Sequence, residues 1–396
     1  MIKRPNYLNI LKNFKDKELI KVVTGIRRCG KSTLFDLYIQ YLREQGIESN
    51  QIIRINLEDA DYSEIDDYLK LYNYVKDRLN PNKMNYVFID EVQTITDFQK
   101  ACDSLYIKKN VDLYITGSNA HLLSGELATL LSGRYIEIKM MPLSFKEYIS
   151  YVGEADLNKK YKDYILNSSF PYALQLNTKM DRNIYLEGIY NSIILKDIAY
   201  RKKTIDIPML NSLTKFMFDN IGNICSSTKI SNTMTSMGRS ISVHTIESYL
   251  EALLDSFILY KVERYDIKGK QYLSAGYKYY ICDIGLRYML LGNKKVDAGH
   301  ILENIVYLEL IRRGYEVYVG KNGESEVDFI AIGELGEEYY QVAYTVQGED
   351  VLKRELTPLD NIADHNPKYL LTMDDFPEIS HNGIKQINVL EWLLNK

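Results

Sequence analysis

Cysteine is scarce in this 396-residue chain and never paired, with Cys29, Cys102, Cys225 and Cys282 far apart and no CxxC spacing among them. That excludes a zinc site or a disulfide framework as an organising device, and reduced thiols are expected. No run of about 18 apolar residues occurs, so no transmembrane helix is expected. The first residues, 1–14, carry Lys3, Arg4, Lys12 and a proline in place of an apolar signal core. A soluble, cytoplasmic protein without membrane contact is the expectation. Positive charge is not in excess either: 49 Lys and Arg stand against 53 Asp and Glu, a formal charge of −4. Global electrostatics therefore give no reason to name nucleic acid as the main partner, although a local basic surface is compatible with this balance. Internal repeats and low-complexity segments are absent.

What is present is an ordinary globular composition, 46% hydrophobic and 26% charged. At ~100–200 residues per domain the length suggests two to four domains. Tyrosine outnumbers phenylalanine 34 to 11. An A/T-rich genome accounts for that bias, and no function is drawn from it.

The first third alternates β-like and helical runs. Residues 18–24 (ELIKVVT) lead into a glycine loop, and 31–45 follow with apolar residues at helical spacing. Further strands are expected at 51–57, 86–89, 113–116 and 135–138, with helices near 64–79, 97–108 and 120–131. Such alternation predicts an α/β fold with a parallel sheet covered on both faces, and ligands then bind at the carboxyl ends of the strands.

The loop Gly25-Ile26-Arg27-Arg28-Cys29-Gly30-Lys31-Ser32, followed by Thr33, satisfies GxxxxGK[ST] between a strand and a helix. Glycines let the backbone wrap phosphates, and the helix N-terminus supplies donors and partial positive charge. Lys31 is expected to reach the β- and γ-phosphates of ATP, and Ser32 to ligate Mg²⁺. Residues 86–91 (YVFIDE) form an apolar strand ending in two carboxylates. There Asp90 would hold Mg²⁺ through water and Glu91 would polarise the attacking water. In 113–119 (LYITGSN), Asn119 has two readings: a sensor of the γ-phosphate, or the cap of the following helix.

The segments VVTGIRRCGKSTL, VFIDEVQ, LYITGSNAHLL and LSGRYIEIKMMPLSFKEY resemble those of prokaryotic AAA-type ATP-binding proteins with a C-terminal domain of unknown function. The likeness runs to the end of the chain. It implies Walker A, Walker B and sensor roles for Lys31, Ser32, Asp90, Glu91 and Asn119. Arg134 falls where an arginine finger would reach a neighbouring subunit, or else forms a salt bridge at the strand edge. No second sensor arginine is evident, with Arg182 and Arg201 available.

Residues 227–234 and 242–254 resemble the two helices of a winged helix, with 259–264 and 278–282 as its wing. Glu247, Glu251 and Asp255 make the reading helix acidic, whereas Lys229, Arg239, Lys268, Lys270 and Lys278 are expected to form a basic rim. The last hundred residues are similar to a restriction-endonuclease-like core, with Glu303, Asp328 and Gln341 at the metal-binding positions. The motif departs at Gln341-Val342-Ala343, where an acid and a lysine are missing, so an inactive domain is expected.

The sequence thus predicts an AAA-type core at 1–141, a helical lid at 142–207, a winged-helix-like domain at 208–294 and an endonuclease-like α/β domain at 295–396. The expected activity is ATP hydrolysis with Mg²⁺, coupled to movement of the C-terminal modules. An ATP-dependent nuclease and a nucleotide-gated binding protein are the rival readings. The partners this allows are ATP, further copies of the chain, an unidentified protein and DNA.

Overall fold

The computed structural model describes residues 2–120, 131, 133–200, 202, 204–292 and 298–395. Most of the helix expected at 120–131, and Arg201, lie outside the described residues. The chain forms two compact units, residues 1–142 with 255–257, and residues 143–254 with 258–396.

In the first unit a short helix, α1 (Pro5–Asn13), precedes β1 (Ile20–Thr24) and α2 (Lys31–Glu44). Then follow β2 (Ile52–Asn56), α3 (Tyr68–Lys76), β3 (Asn85–Asp90), α4 (Phe98–Tyr106), β4 (Val111–Gly117) and β5 (Tyr135–Lys139). The five strands are all parallel, in the order β2-β3-β4-β1-β5. Every residue of β1 and β3 is buried, which is why neither alternates polar and apolar residues; the buried Lys21 of β1 is paired with Asp112. Ile20, Val22, Val87, Ile89, Leu113 and Ile115 lie in one apolar cluster with Leu71, Val75, Cys102 and Leu105 of α3 and α4. Register sets the ends of the strands level: Thr24 is opposite Gly117, Ile115 opposite Ile89, and Asp90 opposite Asn56.

The second unit begins with the helices α5 (Phe145–Val152), α6 (Leu157–Asn167) and α7 (Lys179–Ser192), the last continuing as a π-helical turn over Ile193–Ala199. Ser144 and Glu147 form a reciprocal capping box that starts α5. Next come α8 (Ile207–Asp219), α9 (Ser227–Ser236), α10 (Val243–Asp255), β6 (Leu259–Asp266), β7 (Gln271–Ile281) and α11 (Ile284–Leu291). The remainder is α12 (Ala298–Arg312), β8 (Glu316–Asn322), β9 (Ser325–Gly333), β10 (Gly336–Ala343), α13 (Glu349–Asp360), β11 (Lys368–Thr372), β12 (Ile379–His381), β13 (Ile384–Asn388) and α14 (Val389–Leu394). This is the second α/β region the sequence predicts, extended by β12, β13 and α14.

The β6–β7 hairpin, expected as a free wing, is instead the edge of one eight-stranded mixed sheet ordered β12-β13-β11-β10-β9-β8-β6-β7. Arg264, Tyr265 and Asp266 of β6 pair in parallel with Val319, Gly320 and Lys321 of β8. Backbone pairing therefore runs across residue 294, and the hairpin brings its side chains to the C-terminal strands. No described helix is long and apolar enough to cross a membrane.

Candidate functional site

The loop after β1 is shaped by its glycines. Gly25 has φ +149°, and a Cβ there would fall 2.0 Å from the Met140 carbonyl oxygen, so no other residue fits. Arg28 and Gly30 also take positive φ, curling the chain back to the start of α2. Gly30 stands at the N-cap with no side chain to cap the helix, which leaves the first-turn N–H groups to a ligand. Ile26 and Cys29 anchor the loop in the core, and burial pushes the Cys29 thiol above its ordinary pKa. Arg27 pairs with Glu58 at 2.8 Å, Arg28 and the Ser32 hydroxyl side are exposed, and Thr33 is half-buried. From α1, buried Arg4 donates to the carbonyls of Cys29 at 3.0 Å and Met141 at 2.7 Å, propping the loop from beneath.

Lys31 is buried, and its Nζ donates to the loop's own carbonyls, Gly25 at 2.9 Å and Ile26 at 3.3 Å. It also lies 3.5 Å from Glu91 Oε1. An ammonium ringed by the carbonyls of a glycine loop is ready to exchange them for phosphate oxygens, so these residues fit a nucleoside triphosphate.

Asp90 ends β3 with both carboxylate oxygens engaged: Thr116 Oγ1 donates to Oδ1 at 2.6 Å, and Arg54 Nη2 of β2 meets Oδ2 at 2.6 Å. Glu91 follows in the left-handed region at φ +52°, its N–H donating to Thr116 Oγ1 at 2.9 Å. Its Oε2 accepts from Gln93 Nε2 at 2.6 Å. Burial pushes the Glu91 carboxyl up, but Lys31, the Gln93 amide, Arg27 and Ser118 outweigh it and hold the group below its usual range, hence ionised. Ser118 and Asn119 are buried at the end of β4.

Lys31, Asp90, Glu91, Ser118 and Asn119 all lie at the carboxyl edge of the parallel sheet. Arg134 does not. Its carbonyl accepts from Ile20 N, at the amino end of β1, and a five-residue strand separates the two edges by roughly 16 Å. Its side chain pairs with Asp103 and lies over the Tyr106 ring. Arg182 donates to the Leu176 carbonyl at 2.6 Å, close to its own helix start.

A second cluster lies in the C-terminal sheet. Glu303 of α12, Asp328 of β9 and Gln341 of β10 lie in it: the Gln341 side chain accepts from Asp328 N at 3.3 Å, and Asp328 Oδ2 from Val342 N at 2.9 Å. Lys278 of β7, expected on an exposed basic rim, is only 4% exposed and lies 2.7 Å from Glu303, 2.8 Å from Glu326 and 3.6 Å from Asp328. Burial opposes its charge, yet these carboxylates win and raise the lysine's pKa. Burial, with the charge of Glu303, pushes the Asp328 carboxyl up to about 8. Gln341 Nε2 is 3.2 Å from Glu355. Among the described residues, no three or more His, Cys, Asp or Glu side chains are arranged to hold a metal ion.

Sequence reasoning missed Arg4, Arg54, Gln93, Thr116, Lys278 and Glu326. Three carried a signal: Gln93 stands inside the VFIDEVQ segment, Thr116 inside LYITGSN, and Glu326 shares a strand face with Asp328 by the period of two.

The fold of the first unit and this edge are of the P-loop type. Residues 17–149 match the family model described as an AAA domain, and residues 158–297 match a domain of unknown function, DUF8612. An uncharacterized protein of Haemophilus influenzae is 42% identical over 400 residues, covering 100% of this chain and 99% of its own length. The chain belongs to the same family as that protein. MJ1544, an uncharacterized protein of Methanocaldococcus jannaschii, is 28% identical over 82% of this chain and 74% of its own. Among solved structures, the Walker-type ATPase PABY2304 of Pyrococcus abyssi superposes with a TM-score of 0.51 at 15% identity, covering 73% of this chain and 96% of that one. That likeness concerns the fold.

Proposed function

We propose that the protein binds Mg·ATP in the loop Gly25–Thr33, hydrolyses it, and uses the cycle to move its C-terminal modules. The convergence of Lys31, Asp90 and Glu91 at one sheet edge carries this reading. Lys31 would exchange the Gly25 and Ile26 carbonyls for phosphate oxygens, while the loop amides and the start of α2 receive the remaining charge. The exposed Ser32 hydroxyl and Asp90, held in orientation by Thr116, would hold Mg²⁺. The ion, when bound, neutralises phosphate charge and polarises the transferred phosphoryl group. Glu91, kept ionised by its neighbours, would take a proton from the attacking water. Ser118 and Asn119 face the same edge and would report the state of the γ-phosphate. Arg134, on the opposite edge of its own sheet, would act only on a neighbouring copy; otherwise it serves as the partner of Asp103.

In this reading residues 142–207 form a lid, 208–294 a protein- or DNA-docking module, and 295–396 an endonuclease-like scaffold, in a cytoplasmic protein of a prokaryote. Calorimetry tests the core of the proposal: the wild type is expected to bind Mg·ATP and Lys31→Ala to lose that binding. Equal affinity in both would reject the site.

One observation favours a second reading, an ATP-dependent nuclease: Lys278 supplies the ammonium that the Gln341–Ala343 stretch lacks. It ranks second because that ammonium is occupied by Glu303, Glu326 and Asp328 and because Gln341 is uncharged. Nicking of supercoiled plasmid with Mg²⁺ or Mn²⁺ and ATP, lost in Asp328→Ala, would promote it.

A further inference from the structure

Two residues beyond the Asp90–Glu91 pair, Gln93 sits in the tight turn Val92–Thr94. Its Nε2 donates to Glu91 Oε2 at 2.6 Å and to Ser118 Oγ at 3.3 Å. The amide orientation is fixed by this contact, because exchanging N and O would set an oxygen against a carboxylate. Gln93 Oε1 therefore turns away from Glu91 Oε2, buried and without a hydrogen-bond partner among the described residues, so the amide holds the site through Nε2.

The two oxygens of Glu91 are held by different kinds of partner. Oε2 is held by a neutral amide on the same turn, and Oε1 by the Lys31 ammonium at 3.5 Å on the phosphate loop. Lys31 has a reason to leave when triphosphate oxygens arrive. Gln93 has none. When Lys31 moves, Oε1 is bared while Oε2 stays fixed.

We propose that Gln93 is a positioning residue for Glu91, keeping Glu91 Oε2 in place while Lys31 releases Oε1 to the water that Glu91 activates. This rests on the ATPase reading and names a residue that reading does not use. The water oxygen bonds to the γ-phosphorus, its proton passes to Glu91 Oε1, and ADP leaves with the electron pair of the broken P–O bond. Gln93 neither gains nor loses a proton.

The test is kinetic: Gln93→Leu removes the donor to Glu91 Oε2, and Gln93→Glu sets a like charge against it. In Mg·ATP assays Gln93→Leu should lower turnover about tenfold or more and leave calorimetric affinity unchanged, and Gln93→Glu should be slower still. Because Gln93 acts through Glu91, the double variant Glu91→Gln/Gln93→Leu should be no slower than Glu91→Gln alone. Unchanged turnover in a Gln93→Leu protein that binds Mg·ATP, or multiplying losses in the double variant, would overturn the proposal. A wild type that binds no Mg·ATP would instead overturn the ATPase reading beneath it.

Discussion

Lys31 in the first unit and Lys278 in the second are both buried beside carboxylates, and the two sites show how differently the same pairing can be built. In the first, Lys31 meets one carboxylate at 3.5 Å and otherwise donates to backbone carbonyls of its own loop. It is weakly committed and leads out of a helix N-terminus where donors stand ready. In the second, Lys278 is held by Glu303, Glu326 and Asp328 together, and Tyr280 donates to Glu303 besides. There the ammonium fills the place between the acids. A lysine held by backbone in a glycine loop is poised to move, whereas one enclosed by three acids on two elements is a structural counter-ion.

Removing each lysine breaks that comparison most sharply. Lys31→Ala should abolish Mg·ATP binding in calorimetry and lower the thermal unfolding midpoint less than the loss of Lys278, since Glu91 keeps its bond from Gln93. Lys278→Met should do the reverse. It leaves the acids uncompensated, at a cost of about 3–5 kcal/mol in denaturant unfolding, with Mg·ATP affinity preserved. If Lys278→Met were neutral, the view of the C-terminal cluster as a committed ion network would be wrong.

A smaller effect is expected from pH. The Asp328 carboxyl is raised to about 8 in the folded protein, above its unfolded value. The protonated form is the one favoured by folding, so this contribution is complete below the unfolded pKa and is lost as pH rises through about 8. Asp328→Asn should flatten the decline in unfolding midpoint between roughly pH 4 and 8. An unaltered slope would show that the cluster does not carry that proton.

Arg4→Ala sharpens the comparison from below the loop. Losing its bonds to the Cys29 and Met141 carbonyls should loosen the phosphate loop and weaken Mg·ATP binding several-fold by calorimetry, without affecting the second unit. The smallest effect belongs to Arg134→Ala. Its exposed pairing with Asp103 is worth no more than ~1 kcal/mol. A large loss of turnover, with activity partly restored on mixing with Lys31→Ala, would reveal a role across a subunit interface.

The first unit was legible because its signals are local. GIRRCGKS and VFIDE each lie within one strand and the turn after it, and their spacing alone places Lys31 and Asp90 at strand ends. The parallel order that puts β4 between β3 and β1 confirms why the LYITGSN turn faces the same edge. The braces were not legible: Arg4 reaches Met141 across 137 positions, and Arg54 reaches Asp90 only because β2 and β3 pair. The second unit hid more. Lys278 looked like a surface residue of a wing, because nothing in a strand of tyrosines and lysines says that its hairpin joins the sheet carrying Glu326 and Asp328. Glu303 and Asp328 were found from their elements, whereas the cation between them came from a part of the chain that sequence order assigns elsewhere.

The most direct test of the central claim joins binding to chemistry in one variant. Glu91→Gln should bind Mg·ATP as tightly as the wild type in calorimetry, yet release phosphate about 10²–10⁴ times more slowly in single turnover. Wild-type phosphate release from Glu91→Gln, with affinity intact, would contradict the account.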